Sequence, residues 1–284
     1  MKKIGFLLLL TLIAVVPCAA QYSVRLVDCP GVISTRLWGI NNSGLIVGAL
    51  RWVPGGIFHA MVYRNGVCES LESVIGSGRS RALGVNDRGE IVGDYEDHGF
   101  VLRDGVLTTI DYPGADGTSA SAINDLGVVV GTYAVSGQIK GFRMNRSGEM
   151  TSFSLNFPDV VDFLPLGINL GGDIVGNWDT GNGTIGHGWF LKSKGAALSF
   201  DVPDAPVDGT FAAGINGRGD IVGYFGQIGS TSRGFAWLGD TLVPLDSPTP
   251  AIFMLPNSIN NHRVIVGSIL DDNGVHGFIA VYRM

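Results

Sequence analysis

A four-residue turn, Asn-x-x-Gly, returns along this chain at a nearly fixed interval, and that recurrence limits the fold more than any other feature. It reads "NNSG" from Asn41, "NDRG" from Asn86, "NDLG" from Asn124, "NLGG" from Asn169 and "NGRG" from Asn216. A sixth copy, "NNHR" from Asn260, has lost its glycine. Successive turn asparagines lie 45, 38, 45, 47 and 44 residues apart. A period in the mid-forties is that of propeller blades, each a four-stranded antiparallel sheet. The second copy divides accordingly into "RALGVN", "EIVGDY", "HGFVLR" and "VLTTIDY". Each piece is short, rich in β-branched and aromatic residues, and bounded by turn residues. Asn at the first turn position bonds to its own backbone two residues on, and Gly at the fourth accepts a left-handed backbone. Later hairpins use "RNG", "RDG", "NRSG" and "KSKG". Such tight turns require antiparallel neighbours and argue against a parallel β-helix. The expectation is an all-β, six-bladed β-propeller.

The two ends of the chain are complementary. Fourth strands end in "TIDYPGADGTSA" or "SFDVPDAPVDGT", and the N-terminal "RLVDCPGVISTR" carries the same Asp-x-Pro signature before any full blade has begun. The chain stops after "HGFIAVYRM", the third strand of the sixth copy. Pairing of residues 22–29 with residues 276–283 would close the ring and cover two edges that otherwise invite association.

The pattern "IND.G.IVG.Y", followed by "HGF" and "TTIDYPGA", resembles the HAF family of probable extracellular repeats. The resemblance runs through nearly all of residues 21–284 and is best in "VNDRGEIVGDYEDHGFVLRDGVLTTIDYPGA". The first and sixth copies depart from it, with "HAMVY" from His59 in place of His-Gly-Phe and Arg263 in place of the turn glycine. The resemblance implies export and a repetitive β-fold. It brings no catalytic residue or ligand.

Residues 1–20, "MKKIGFLLLLTLIAVVPCAA", read as a cleaved signal peptide: two lysines, an apolar run, then small residues. Residues 21–284 then form a single six-repeat domain, placed outside the cell or in the periplasm, with no membrane span and expected as a monomer. Pro17 before Cys18 argues against lipidation. Without Lys2 and Lys3 the formal net charge goes from −6 to −8. That argues against duplex nucleic acid as a partner, because binding it needs clustered cations. Cys29 and Cys68 remain. Aligned on the repeat, they fall toward opposite faces of diverging outer strands, so no bond between them is expected.

Four histidines, His59, His98, His187 and His276, share one repeat position, but Lys140 and Arg233 stand there in the other copies. That substitution points to a polar strand end, and no metal or other cofactor is expected. Gly48, Gly93, Gly131, Gly176, Gly223 and Gly267 recur in all six copies. They suggest a bulge or a close neighbour, the expected one being the aromatic one strand over, such as Phe100. "DTGNGT" and "DDNG" lack the alternating ligands and distal Glu of a calcium loop.

One asymmetry remains. Tight turns share one face, while long, unequal loops share the other, and aromatics enter that second face. The ligand-binding candidates there are Trp52, Tyr95, Trp178, Asp179 and Asp208, with stacking and hydroxyl recognition as their chemistry. The expected function is an exported binding or interaction module whose partner is a carbohydrate or a protein. The alternatives are a carbohydrate-active enzyme using loop carboxylates and a structural cell-surface display protein.

Overall fold

A computed structural model of the chain describes residues 22–181, 186–203, 209–226 and 231–283. The predicted signal peptide lies outside these residues. Twenty-four strands and one four-residue helix, Glu72–Ile75, make the described chain all-β. No helix of the described residues is long and apolar enough to cross a membrane.

The second repeat shows the unit. Strands Ser80–Val85, Ile91–Tyr95, His98–Arg103 and Val106–Ile110 pair antiparallel in chain order. The first, third, fourth and fifth repeats pair in the same way. The sixth supplies only three strands, Phe253–Ile259, Val264–Asp271 and Gly274–Tyr282. Its fourth is the N-terminal strand Tyr22–Val27, in register from Tyr22–Tyr282 to Val27–Gly277.

Successive sheets pack face to face. Val92, Val101 and Ile110 of the second repeat share a core with Ile123, Val129 and Phe142 of the third. Val266 and Ile279 of the sixth share one with Leu37, Ile46 and Met61 of the first. At the centre of five of the six sheets a large aromatic is fully buried: Phe100, Phe142, Trp189, Phe235 and Phe278. Burying one such side chain contributes about 3 kcal/mol.

The recurring glycines have a sharper cause than the neighbouring aromatic. A Cβ on Gly93 would stand 1.9 Å from the carbonyl oxygen of Arg81 and 2.8 Å from the Phe100 ring. The register slips at that point, between Ala82 and Gly84, so the first strand bulges toward the second. The backbone across the bulge sets the requirement, and the ring adds to it.

The turns bear out their residue types. Gly89 has φ +78°, and Asn86 accepts backbone bonds from Arg88 and Glu90 at 3.1 and 3.0 Å. The sixth turn keeps the left-handed backbone without glycine, with Arg263 at φ +59°. A non-glycine residue there costs about 1 kcal/mol or more. The Arg263 guanidinium offsets this by holding the buried carboxylate of Asp220 at 3.0 and 3.2 Å.

Candidate functional site

The turn asparagines also join one repeat to the next. The Asn41 amide donates to the carbonyl of Asn86 at 2.9 Å, Asn86 to that of Asn124 at 3.0 Å, and Asn124 to that of Asn169 at 3.0 Å. Asn216 donates to Asn260 at 3.0 Å, and Asn260 to Asn41 at 3.1 Å, linking the last turn to the first. An outer row repeats the device one residue on. Asn261 N–H donates to Asn42, Asn42 N–H to Asp87, and Asp87 N–H to Asp125, at 2.7–2.8 Å. Sequence reading found the turn role and missed the links, because an amide reaching a neighbour 38–45 residues away leaves no local signal.

These turns and the ends of the first strands surround a cavity of about 580 Å³, lined from all six repeats. Its rim of turn asparagines is already spent. Each turn asparagine is engaged by its own backbone and, for five of them, by the next turn. Groups satisfied in this way have little left to offer a ligand.

The long-loop end is organised by a second repeated device. His98 meets Asp111 at 2.7 Å, His187 meets Asp201 at 3.0 Å, His276 meets Asp28 at 2.7 Å, and Arg233 meets Asp246 at 3.8 Å. In these four repeats the shared position is one half of a base–carboxylate pair and the aspartate of the Asp-x-Pro signature is the other, while His59 meets Glu72 at 2.8 Å instead. The hydrogen bond that His98 donates to Asp111 raises the pKa of the imidazole. Burial alone would lower His276, but Asp28 and Asp271 outweigh it and the net shift is upward. After three of these four aspartates the next residue, Cys29, Tyr112 or Val202, packs against the interface, and a threonine takes its N–H. Cys29 bonds Thr35 at 3.1 Å, Tyr112 bonds Thr118 at 2.9 Å, and Val202 bonds Thr210 at 2.8 Å.

That plug position corrects the cysteine expectation. Cys29 and Cys68 are bonded, with α-carbons 5.9 Å apart. Aligning both on isolated sheets placed them on diverging strands. In the structure Cys29 points off the sixth sheet into the core it shares with Leu37, Met61 and Tyr63 of the first, with Cys68 packed against that core.

The aromatic candidates do not share one role. Trp178 stacks on His187 with ring centroids 4.6 Å apart, lies 5.4 Å from Phe157, and donates its indole N–H to Ser199 at 2.9 Å. Tyr95 leans on His98 and Phe100, and its hydroxyl meets Thr109 at 2.7 Å. Trp52 is not their equivalent. Register puts Leu50 at that place, and Trp52 lies in the loop beyond, 36% exposed and 4.3 Å from the His59 ring. Asp179 accepts the Gly181 N–H at 2.6 Å. Asp208 lies outside the described residues. Since Trp178 packs against the core around Trp189, Trp178→Ala should lower stability by about 3 kcal/mol. Urea denaturation checks this, and an unchanged midpoint would show the ring to be a surface platform.

A group that sequence reading missed stands where the first and second repeats meet on this end. The guanidinium carbons of Arg36 and Arg51 lie 5.0 and 5.1 Å from the Phe58 ring, and that of Arg81 lies 5.8 Å from Trp38. Trp38 and Phe58 meet edge to face at 6.3 Å. Arg81 is claimed by Asp94, at 3.0 and 2.5 Å. Beside it a cleft of about 190 Å³ runs between the second and third repeats. Arginines scattered at Arg36, Arg51 and Arg81 carry no motif, so only the fold reveals them as neighbours.

No protein-family model matches the chain, and no curated protein matches it in sequence. Solved structures do resemble it. A streptogramin B lyase aligns with a TM-score of 0.53 at 11% identity, over 92% of this chain and 98% of that one. A gluconolactonase from Xanthomonas campestris aligns with a TM-score of 0.53 at 14% identity, over 89% of each chain. The sialidase of Trypanosoma rangeli aligns with a TM-score of 0.52 at 10% identity, over 88% of this chain and 55% of its own. At such identities the likeness concerns fold alone, and the chain is an all-β protein with a propeller-like architecture.

Proposed function

We propose that the chain is an exported binding module, a six-bladed β-propeller closed by its N-terminal strand, that takes a carbohydrate or protein ligand at its long-loop end. The single-domain reading of residues 21–284 and the kinship with HAF repeats belong to the same proposal. The observation that carries it is the contrast between the two ends. Turn amides are consumed in holding repeats together, and the buried Nε of Arg103 at that end faces Glu90 at 3.4 Å, whereas Arg36 and Arg51 at the other end have buried Nε atoms with neither a hydrogen bond nor, among the described residues, a carboxylate partner. Buried donors are ordinarily satisfied, and exceptions tend to mark sites. The Cys29–Cys68 bond supports export, since disulfides persist in oxidising compartments.

A binding role is favoured over carbohydrate-active catalysis because five of the long-loop carboxylates are held in pairs. Asp28, Asp111, Asp201 and Asp246 face His or Arg partners, and Asp94 faces Arg81. Among the described candidates, Trp52 is the most open, and it adjoins Arg51.

A polysaccharide and peptide array probed with residues 21–284 tests the proposal. Trp52→Ala should weaken a ligand so found at least tenfold without moving the melting temperature. Asp125→Ala, on the turn end, should leave affinity intact. The opposite pattern would move the site to the turn-end cavity, and cleavage of an arrayed polysaccharide would replace binding with catalysis.

A further inference from the structure

Resting on the long-loop reading, we propose that Arg36 and Arg51, with Arg81 beside them, form a binding site for the carboxylate of a small organic acid with an apolar body.

The fold does not require these arginines. Counting back from each turn asparagine, the positions equivalent to Arg36 and Arg81 hold Ser119, Leu164, Phe211 and Leu255. The residue paired across the sheet from Ser34 is Arg51, and its counterparts in other repeats include Ala134, Asp179 and Leu270. Two repeats have thus placed guanidinium groups where the others have no cation.

Nor are the charges cancelled. Asp94 is engaged by Arg81 in a bidentate pair, by Arg79 at 3.5 Å and by the Ser119 hydroxyl at 2.8 Å. Among the described residues no carboxylate lies within ion-pair distance of Arg36 or Arg51. Burial, then the positive Arg51 and Arg81, hold the pKa of Arg36 below its ordinary range. Like charges gathered in a partly dry site repel, and an anion placed among them would offset that repulsion.

Geometry selects the kind of anion. Both guanidinium carbons lie about 5 Å from the centre of one Phe58 ring, which gathers the two groups at one place. A planar fork of donors matches a carboxylate through two parallel bonds. The surroundings are apolar and open. Ile33, whose N–H donates to the Arg51 carbonyl at 2.9 Å, is exposed, as are Val53 and Ile57 in the loop that carries Phe58. A charged head beside an apolar rim suits an acid whose body is hydrocarbon. A uronate sugar would present the same head on a polar body.

The test is calorimetric titration of residues 21–284 with 3-phenylpropanoate, glucuronate and neutral 3-phenylpropanamide, at low and high salt. The acid should bind, more weakly as salt rises, and the amide should bind at least tenfold less. Arg36→Gln and Arg51→Gln should each weaken the acid at least tenfold, while Arg218→Gln on the turn end should not. Arg36→Lys, which keeps charge and loses the fork, should also weaken it, and melting curves confirm that each variant is folded. Glucuronate binding more tightly than phenylpropanoate would overturn the apolar body. Equal affinity for acid and amide, no binding of either acid, or full affinity in both glutamine variants would overturn the site. If an array ligand is lost in Trp52→Ala but kept in Arg36→Gln and Arg51→Gln, the long-loop function stands and the carboxylate site alone falls.

Discussion

A chain beginning at residue 28, without the strand Tyr22–Val27, should self-associate and lose most of its stability. That strand is the outer member of the sixth sheet, and its removal bares the edge from Gly277 to Tyr282. Tyr22 and Val27 are buried, and Val24 and Leu26 pack against the core that holds Phe278. Losing those four contacts costs on the order of 5 kcal/mol. A domain holds only about 5–15 kcal/mol in total. The exposed edge then offers unpaired amides and carbonyls to a second copy. Light scattering after size exclusion should show dimers or larger species, with the urea midpoint sharply lowered. Because Cys29 and Cys68 remain in this variant, the loss can be assigned to the strand and not to the disulfide. A monomer with an unchanged midpoint would show that the terminal strand is an ornament on a self-sufficient sheet.

Why that strand could be located before any coordinates lies in its local chemistry. Asp28-Cys29-Pro30 repeats Asp111-Tyr112-Pro113 and Asp201-Val202-Pro203, so its role as a fourth strand is written in residues that touch one another. The same holds for the turns, where Asn86 and Gly89 meet within four residues, and for the recurring glycines. What was not legible depends on how one repeat faces the next. The amide links between turns, the partner of each histidine-position cation and the gathering of Arg36, Arg51 and Phe58 all join segments that only packed sheets bring together. Trp52 and Trp178 show the limit plainly. Both are tryptophans near the end of a second strand, yet a two-residue difference in register leaves one in an open loop and the other stacked on His187. The plug residues were a missed signal. Tyr112 and Val202 are apolar at the position of Cys29, which already argued that this side chain turns inward.

Replacing both cysteines, Cys29→Ser with Cys68→Ser, should lower stability by about 4 kcal/mol, the chain-entropy expectation for a loop of this length. The bond spans 39 residues of sequence and joins the segment after the N-terminal strand to the outer strand Val67–Ser70 of the first repeat. Cys29 is nearly fully buried, so the two hydroxyls introduced there add a desolvation cost to the lost cross-link. The effect should also be local. With the bond intact, Tyr22–Val27 is fixed at one end by the sixth sheet and at the other through Cys29 to the first, so it cannot peel away alone. Without it, amides of that strand should exchange faster than those of the second and third repeats. Mass spectrometry without reductant should recover a Cys29–Cys68 linked peptide, and urea curves with and without dithiothreitol should reproduce the difference between parent and double variant. Equal midpoints in the two conditions, with the linked peptide present, would mean that the packing of the sixth sheet on the first holds the seam unaided.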